Sequence, residues 1–411
     1  MRQGSKEAGD SKSSRMNRTS NARGPSFLFL THAGDPGGAE YKMLALCKAL
    51  GPAAHVLLLQ NGRLEGLLGA QGTPCVVAPL DADTGAVRRD GGVSSLVRAA
   101  PGSLRLVKRI AREARPHDVV VCFSQKAFVL ASLAKPFMRR PIVWFMNDIL
   151  SRDHFSPLLI RLLIALSRYS ADRVAVVSEE SLREWLRAGG RRHGISVVHS
   201  GIDLDEVSRQ TADPARIVAY RHVYAPDGAP LIGMFGRVSS WKGQDIFLRA
   251  MARIPGARGV IAGGALFDEQ DYELELRELA RELGVADRVV FAGHVDDPMT
   301  LMAACDVVAH CSTAPEPSGR VIVEAMFAGT PVIGSDAGGV REFILEGETG
   351  LLTPMKDVGA LAAAIRRYLE EPAWAKQVAT HARRRAHDYY SSRATVAGFQ
   401  RAVSGLAGYS P

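Results

Sequence analysis

Arg237 and Lys242 stand five residues apart in GRVSSWKGQD, after an apolar run that reads as a strand, LIGMFGR, and before a helical pattern, QDIFLRAMA. Two fixed cations at a strand end and a helix start suit a diphosphate. Further on, PEPSGRVIVEAMFAG puts Glu316 in a proline-flanked loop, Gly319 at a turn and Arg320 at a helix start. The first amides of a helix have no partner within it, so the backbone at Gly319, Arg320 and Val321 is available to phosphate oxygens. Glu324, one turn on, can offer its carboxylate to a pair of vicinal hydroxyls such as those of a ribose. Glu316 can do the same for a sugar. A third segment, SDAGGVREF, sets Gly338 and Gly339 before another helix, for either a close backbone approach to a ligand or a structural turn.

The first half offers less. The strand FLFLT runs into AGDPGGAEYKM, where Gly37 and Gly38 permit a close backbone approach as a helix begins, or simply make the turn. The G-x-G-x-x-G and Walker patterns are absent. Literal D-x-D strings occur at Asp81-Ala82-Asp83 and Asp203-Leu204-Asp205. Neither sits in the strand context of a metal-dependent transferase, no histidine pair has the H-E-x-x-H spacing, and Arg237 with Lys242 already supplies positive charge. No metal requirement and no cofactor are expected.

These residues need two frameworks to hold them. The chain has 411 residues, 46% of them hydrophobic and 23% charged, the composition of a globular protein too long for one core. SFLFLTH, HVLLLQ, CVVAPL, DVVVCF, PIVWFM and RVAVVS read as buried strands alternating with helices. LIGMFGR, RGVIAGG, RVVFAGH, DVVAHCS, TPVIGSD and GLLTP form a second such series. The fold class is therefore α/β, with two doubly wound parallel sheets. The expected division is a disordered basic tail at 1–25, with Met16 as an alternative start, a first domain at 26–203, a link at 204–229 and a second domain at 230–387. A last helix, about 388–411, completes the first domain.

Charge divides unevenly. Residues 1–200 carry 29 Lys and Arg against 16 Asp and Glu, while the rest carries 22 against 27. The stretch 86–115 holds eight basic residues, and SPLLIRLLIALSRYS pairs a Leu/Ile face with Arg161 and Arg168. Both fit helices packed on a sheet with solvated arginines, and both fit contact with anionic lipid headgroups. No helix-turn-helix, zinc-finger or RNP pattern points to nucleic acid. Five scattered cysteines suit a reducing cytosol, and no apolar stretch is long enough to span a bilayer.

Taken in order, GGAE, VVSEE…VVHSGID, GRVSSWKGQD, the E-x₇-E run from Glu316 to Glu324 and DAGGVREFILEGETGLL resemble the retaining, nucleotide-sugar-dependent glycosyltransferases of family 4, in the glycogen-synthase-like superfamily. The resemblance spans about residues 26–370. It implies a GT-B fold, two Rossmann-like domains facing a cleft. It also implies roles: Arg237 and Lys242 on the donor diphosphate, the Gly319–Val321 backbone beside them, Glu324 on the ribose and Glu316 on the donor sugar. Gly37 and Gly38 would close on the phosphates. Two positions depart from the family pattern. Ser318 stands where an aromatic residue is common, and Asn147-Asp148 where His-Asp is common, leaving Asp148 as a candidate acceptor or sugar contact.

The implied reaction moves a hexose from a UDP- or GDP-linked donor to a glycan or lipid-linked glycan, with retention. Its expected setting is bacterial exopolysaccharide or lipopolysaccharide assembly, in the cytoplasm or at the inner face of the cytoplasmic membrane. The alternatives are a GT-B sugar-nucleotide epimerase, a phosphorylase, or a non-catalytic membrane-associated scaffold of a polysaccharide assembly complex.

Overall fold

A computed structural model describes residues 24–79, 93–152, 154–265 and 270–406. Nearly all of the expected tail, Asp81-Ala82-Asp83, Arg88, Arg89 and residues 407–411 lie outside the described residues.

The apolar runs become parallel strands because continuous Val, Ile, Leu and Phe need cover on both faces. The first sheet has β1 (Phe27–Thr31), β2 (Ala54–Leu58), β3 (Cys75–Val77), β4 (Val119–Cys122), β5 (Ile142–Met146), β6 (Ala171–Val176) and β7 (Ile195–Val197), in the order β3-β2-β1-β4-β5-β6-β7. The second has β8 (Leu231–Phe235), β9 (Arg258–Ala262), β10 (Val289–Gly293), β11 (Val307–Ala309), β12 (Val332–Ser335) and β13 (Leu351–Thr353), in the order β10-β9-β8-β11-β12-β13. Strand β7 was not among the expected strands; it is three half-buried residues at a sheet edge.

Each sheet reverses its winding once, between β1 and β4 and between β8 and β11. A crevice opens beyond the carboxyl ends of the strands at such a reversal. Gly37 and Gly38 follow β1, Arg237 follows β8 and Glu316 follows β11, so topology alone brings these segments to the two crevices.

Residues 204–229, read as a link, are largely helical. Asp203 and Asp213 cap helices Leu204–Thr211 and Pro214–Tyr224. Gln210 receives Met299 N at 2.8 Å, Tyr220 donates to Asp297 at 2.5 Å and Arg221 pairs with Asp306 at 2.7 Å, which fastens both helices to the second domain. Asp203 and Asp205 both pair with Lys48 on helix Gly38–Leu50, at 2.8 and 3.1 Å.

The chain then crosses back. Helix Pro372–Tyr389 lays Val378, Ala382 and Ala386 into the second domain, and helix Ser392–Val403 lies on the first. The two crossings touch: Ile202 N donates to Tyr390 O at 2.9 Å and Ser392 N to Ile202 O at 2.8 Å. A Cβ at Gly201 would sit 2.2 Å from Ser391 O, so only glycine allows this approach. Phe399 is fully buried, with ring centroids 5.6 Å from Phe27, 6.0 Å from Phe29 and 6.5 Å from Phe145.

Helices Val93–Ala114, Gln125–Met138 and Pro157–Ser170 pack side by side on the first sheet. Outward they leave Leu104, Leu133, Phe137, Leu158, Leu162 and Tyr169 exposed. Among the described residues no helix is long and apolar enough to cross a membrane.

Phe399→Ala should cost about 3–5 kcal/mol, the usual range for emptying a buried aromatic site. Urea unfolding followed through Trp144 and Trp185, both in the first domain, should show the loss there first.

Candidate functional site

The second-domain half of the site is built by two loops stitched together. Thr313 N donates to Trp241 O at 2.8 Å, and Gly243 lies against the Cys311 carbonyl with no room for a side chain. The loop after β8 is thereby tied to the segment after β11. Lys242 Nζ lies 2.6 Å from Glu316 Oε1 and 4.3 Å from the centre of the Trp241 ring. His310 Nε2 reaches the same Oε1 at 2.8 Å, and Ser312 Oγ also donates to it. Burial on its own would raise the Glu316 carboxyl, but Lys242 and His310 outweigh it and hold the group well below the usual carboxylate range. Glu316 is thus a buried, ionised carboxylate.

Gly338 has φ +61, and a Cβ there would lie 2.3 Å from Glu316 O. The close approach that Gly338 and Gly339 make is therefore to the Glu316–Pro317 backbone, closed by Gly339 N donating to Glu316 O at 2.8 Å. Gly319, at φ +49, turns the chain into helix Arg320–Ala328. The amides of Gly319, Arg320 and Val321 have no hydrogen-bond partner among the described residues. Arg320 Nε is 2.8 Å from Glu324 Oε1. Arg237 is exposed, and its guanidinium has no partner among the described residues.

The first domain faces this assembly closely. The Arg320 guanidinium lies 5.3 Å from the centre of the Tyr41 ring, and a Cβ on Gly38 would stand 3.7 Å from Arg320 Cδ. Gly37 N donates to Glu40 Oε2 at 3.1 Å, which fixes the start of helix Gly38–Leu50. Lys42, one turn in, is buried; its Nζ donates to Asn147 Oδ1 at 2.8 Å and lies 4.4 Å above the Phe145 ring. Burial and then the Arg320 charge push Lys42 well below the usual lysine range, and Glu40 offsets part of this. Asp148 accepts from Gln125 Nε2, at the start of helix Gln125–Met138. His154 Nε2 lies 3.0 Å from Pro315 O, next to Glu316. Nearer the crossings, Glu342 accepts from Glu180 N at 3.1 Å and meets His199 Nε2 at 3.0 Å.

The expected residues thus fall into two sets. Arg237, Lys242, Glu316, Gly319, Arg320, Val321 and Glu324 gather at the crevice of the second sheet; Gly37, Gly38 and Asp148 belong to the facing edge of the first. Sequence reasoning missed Lys42, His154, His310, Ser312 and Glu342. Only the placement of His310 and Ser312 just upstream of Glu316 could have drawn notice.

Two Rossmann-like parallel-sheet domains meeting across a cleft, with the last helix returning to the first, define a GT-B protein. Residues 36–206 match Glycosyltransferase Family 4 and residues 220–385 match Glycosyl transferases group 1. The structures of Anabaena Alr3699/HepE are 33% identical and are covered completely by 93% of this chain. The TM-score is 0.83 with UDP and 0.84 with UDP-glucose. A Rickettsia africae glycosyltransferase, 18% identical with a TM-score of 0.79, shares the fold. The D-inositol 3-phosphate glycosyltransferase of Mycolicibacterium smegmatis is 33% identical over 238 residues, 57% of this chain and 54% of the relative. The chain thus spans about half the length of the curated relatives it matches. It belongs to glycosyltransferase family 4.

Removing one partner of a buried ion pair strands the other, at about 3–5 kcal/mol. Lys242→Met should therefore destabilise the second domain in thermal unfolding, and adding Glu316→Gln should recover much of the loss. The folded Glu316 carboxyl lies below its unfolded value of about 4.3. Its stabilisation is complete above that value and is lost as the pH falls through the folded one. Glu316→Gln should lower proton uptake on acid unfolding by about one proton.

Proposed function

We propose that this chain transfers a hexose from a nucleotide-diphospho-sugar, uridine-linked by preference, to a hydroxyl of a glycan or lipid-linked glycan, retaining the anomeric configuration. The observation that carries the reading is the second-domain constellation: unpaired Arg237, Lys242 on Glu316, free amides at Gly319–Val321, and Glu324, within 88 residues. The UDP and UDP-glucose complexes of the Anabaena protein favour uridine and glucose.

In this reading the diphosphate lies against the Gly319–Val321 amides between Arg237 and Lys242. Glu324 takes the ribose hydroxyls and Glu316 those of the sugar. The acceptor oxygen bonds to the anomeric carbon on the face that the diphosphate leaves. The bond from that carbon to the diphosphate oxygen breaks, and the hydroxyl proton passes to the departing diphosphate. Positioning and cationic stabilisation of the leaving group provide the acceleration. Since those cations belong to the protein, turnover should persist in excess EDTA.

For the acceptor, the positive first half and the exposed row Leu133, Phe137, Leu158 and Leu162, flanked by Arg161, favour an acceptor borne on an anionic membrane. Phosphatidylglycerol vesicles at physiological salt should sediment the protein and phosphatidylcholine vesicles should not; equal behaviour on both would remove the basis for a membrane-borne acceptor.

A thermal-shift comparison of UDP, GDP, ADP and their sugar conjugates tests the donor. A ligand at 100 times its dissociation constant adds about 2.7 kcal/mol. One nucleotide family should shift the transition, and Glu324→Ala should abolish the shift. Arg237→Ala and Lys242→Ala should each lower turnover about 10²–10³-fold. Unchanged turnover in both would refute the leaving-group assignment.

A further inference from the structure

The Glu316 carboxylate receives three hydrogen bonds, and all of them fall on one oxygen. Lys242 Nζ, His310 Nε2 and Ser312 Oγ converge on Oε1, while Oε2 receives none among the described residues. The three donors differ in freedom. Lys242 reaches from a loop on a flexible four-carbon stem, and Ser312 lies on the segment leading to Glu316. His310 directly follows β11, a central strand. Both its N and its O are held by β12, with His310 N donating to Ile333 O at 2.8 Å and Ser335 Oγ donating to His310 O at 3.2 Å. Its ring is 4% exposed.

An ionised carboxylate only accepts hydrogen bonds, so His310 Nε2 carries the proton. Nδ1 is buried and has no partner among the described residues.

We propose that His310 is a positioning residue for the donor sugar. It fixes Oε1 of Glu316 in place, so that Oε2 is the oxygen presented to sugar hydroxyls. This rests on the donor reading of Glu316 given above and goes beyond it by naming the group that sets the carboxylate's orientation. A histidine on the sheet, remote from solvent, thereby governs how well the site distinguishes a nucleotide that carries a sugar from one that does not.

The test measures two quantities on each variant: the dissociation constant for UDP and the rate of UDP release from UDP-glucose with water as the acceptor of the glucosyl group. His310→Phe keeps a ring but removes the donor, and His310→Asn introduces an amide whose donor lies where Nδ1 was. His310→Gln returns a donor near the Nε2 position. The expected result is a 10- to 100-fold fall in UDP release for Phe and Asn, UDP affinity within about threefold, and recovery by Gln to within about threefold. Should His310→Phe fail to fold, the Asn and Gln variants make the same comparison. Equal losses of UDP affinity and turnover, or no advantage of Gln over Asn, would overturn the proposal. An unaltered chain that neither binds UDP nor releases it from UDP-glucose would overturn the donor reading, and this inference with it.

Discussion

Glu316 carries a full charge into a place water scarcely reaches, and much of the second domain's crevice is arranged around keeping it there. A lone carboxylate in such surroundings would take up a proton. It stays ionised because Lys242, His310 and Ser312 surround one of its oxygens. Lys242 can reach it only because the Trp241 carbonyl is tied to Thr313 and Gly243 lies flat against Cys311. The loop can pack there only because Gly338 leaves space for the Glu316 backbone. One buried charge thus accounts for the stitching of three segments distant in sequence.

The two sheets explain why those segments meet at all. Each reverses its winding once, and each reversal opens a crevice at the carboxyl ends of the strands. The first domain contributes buried Lys42, which donates to Asn147, and the second contributes cations and amides. Where the halves approach, Arg320 lies over Tyr41 and His154 meets Pro315 O, so the first domain touches the segment that carries Glu316.

Much of this was legible in the sequence. The twelve expected strands announced themselves as apolar runs, and Arg237, Lys242, Glu316, Gly319 and Glu324 stood in short segments whose local pattern marked a strand end or a helix start. What escaped was nonlocal or faint. Lys42 finds Asn147 from 105 residues away and His154 finds Pro315 from 161, separations at which spacing says nothing. Strand β7 is three residues long and half-buried, too short for periodicity to reveal. The helices of the link escaped notice because the segment is polar, although Asp203 and Asp213 were capping residues in plain view.

Helix Ser392–Val403 covers one face of a domain whose own strands end at Val197. On the ribosome, Phe27, Phe29 and Phe145 emerge early and find no Phe399 to cover them. Roughly 200 further residues must be made after Val197 to reach Phe399, which at about 5–20 residues per second takes about 10–40 s. The domain that leaves the ribosome first is therefore the last to be finished, and its uncovered aromatic face is exposed to chaperones and to aggregation throughout that interval.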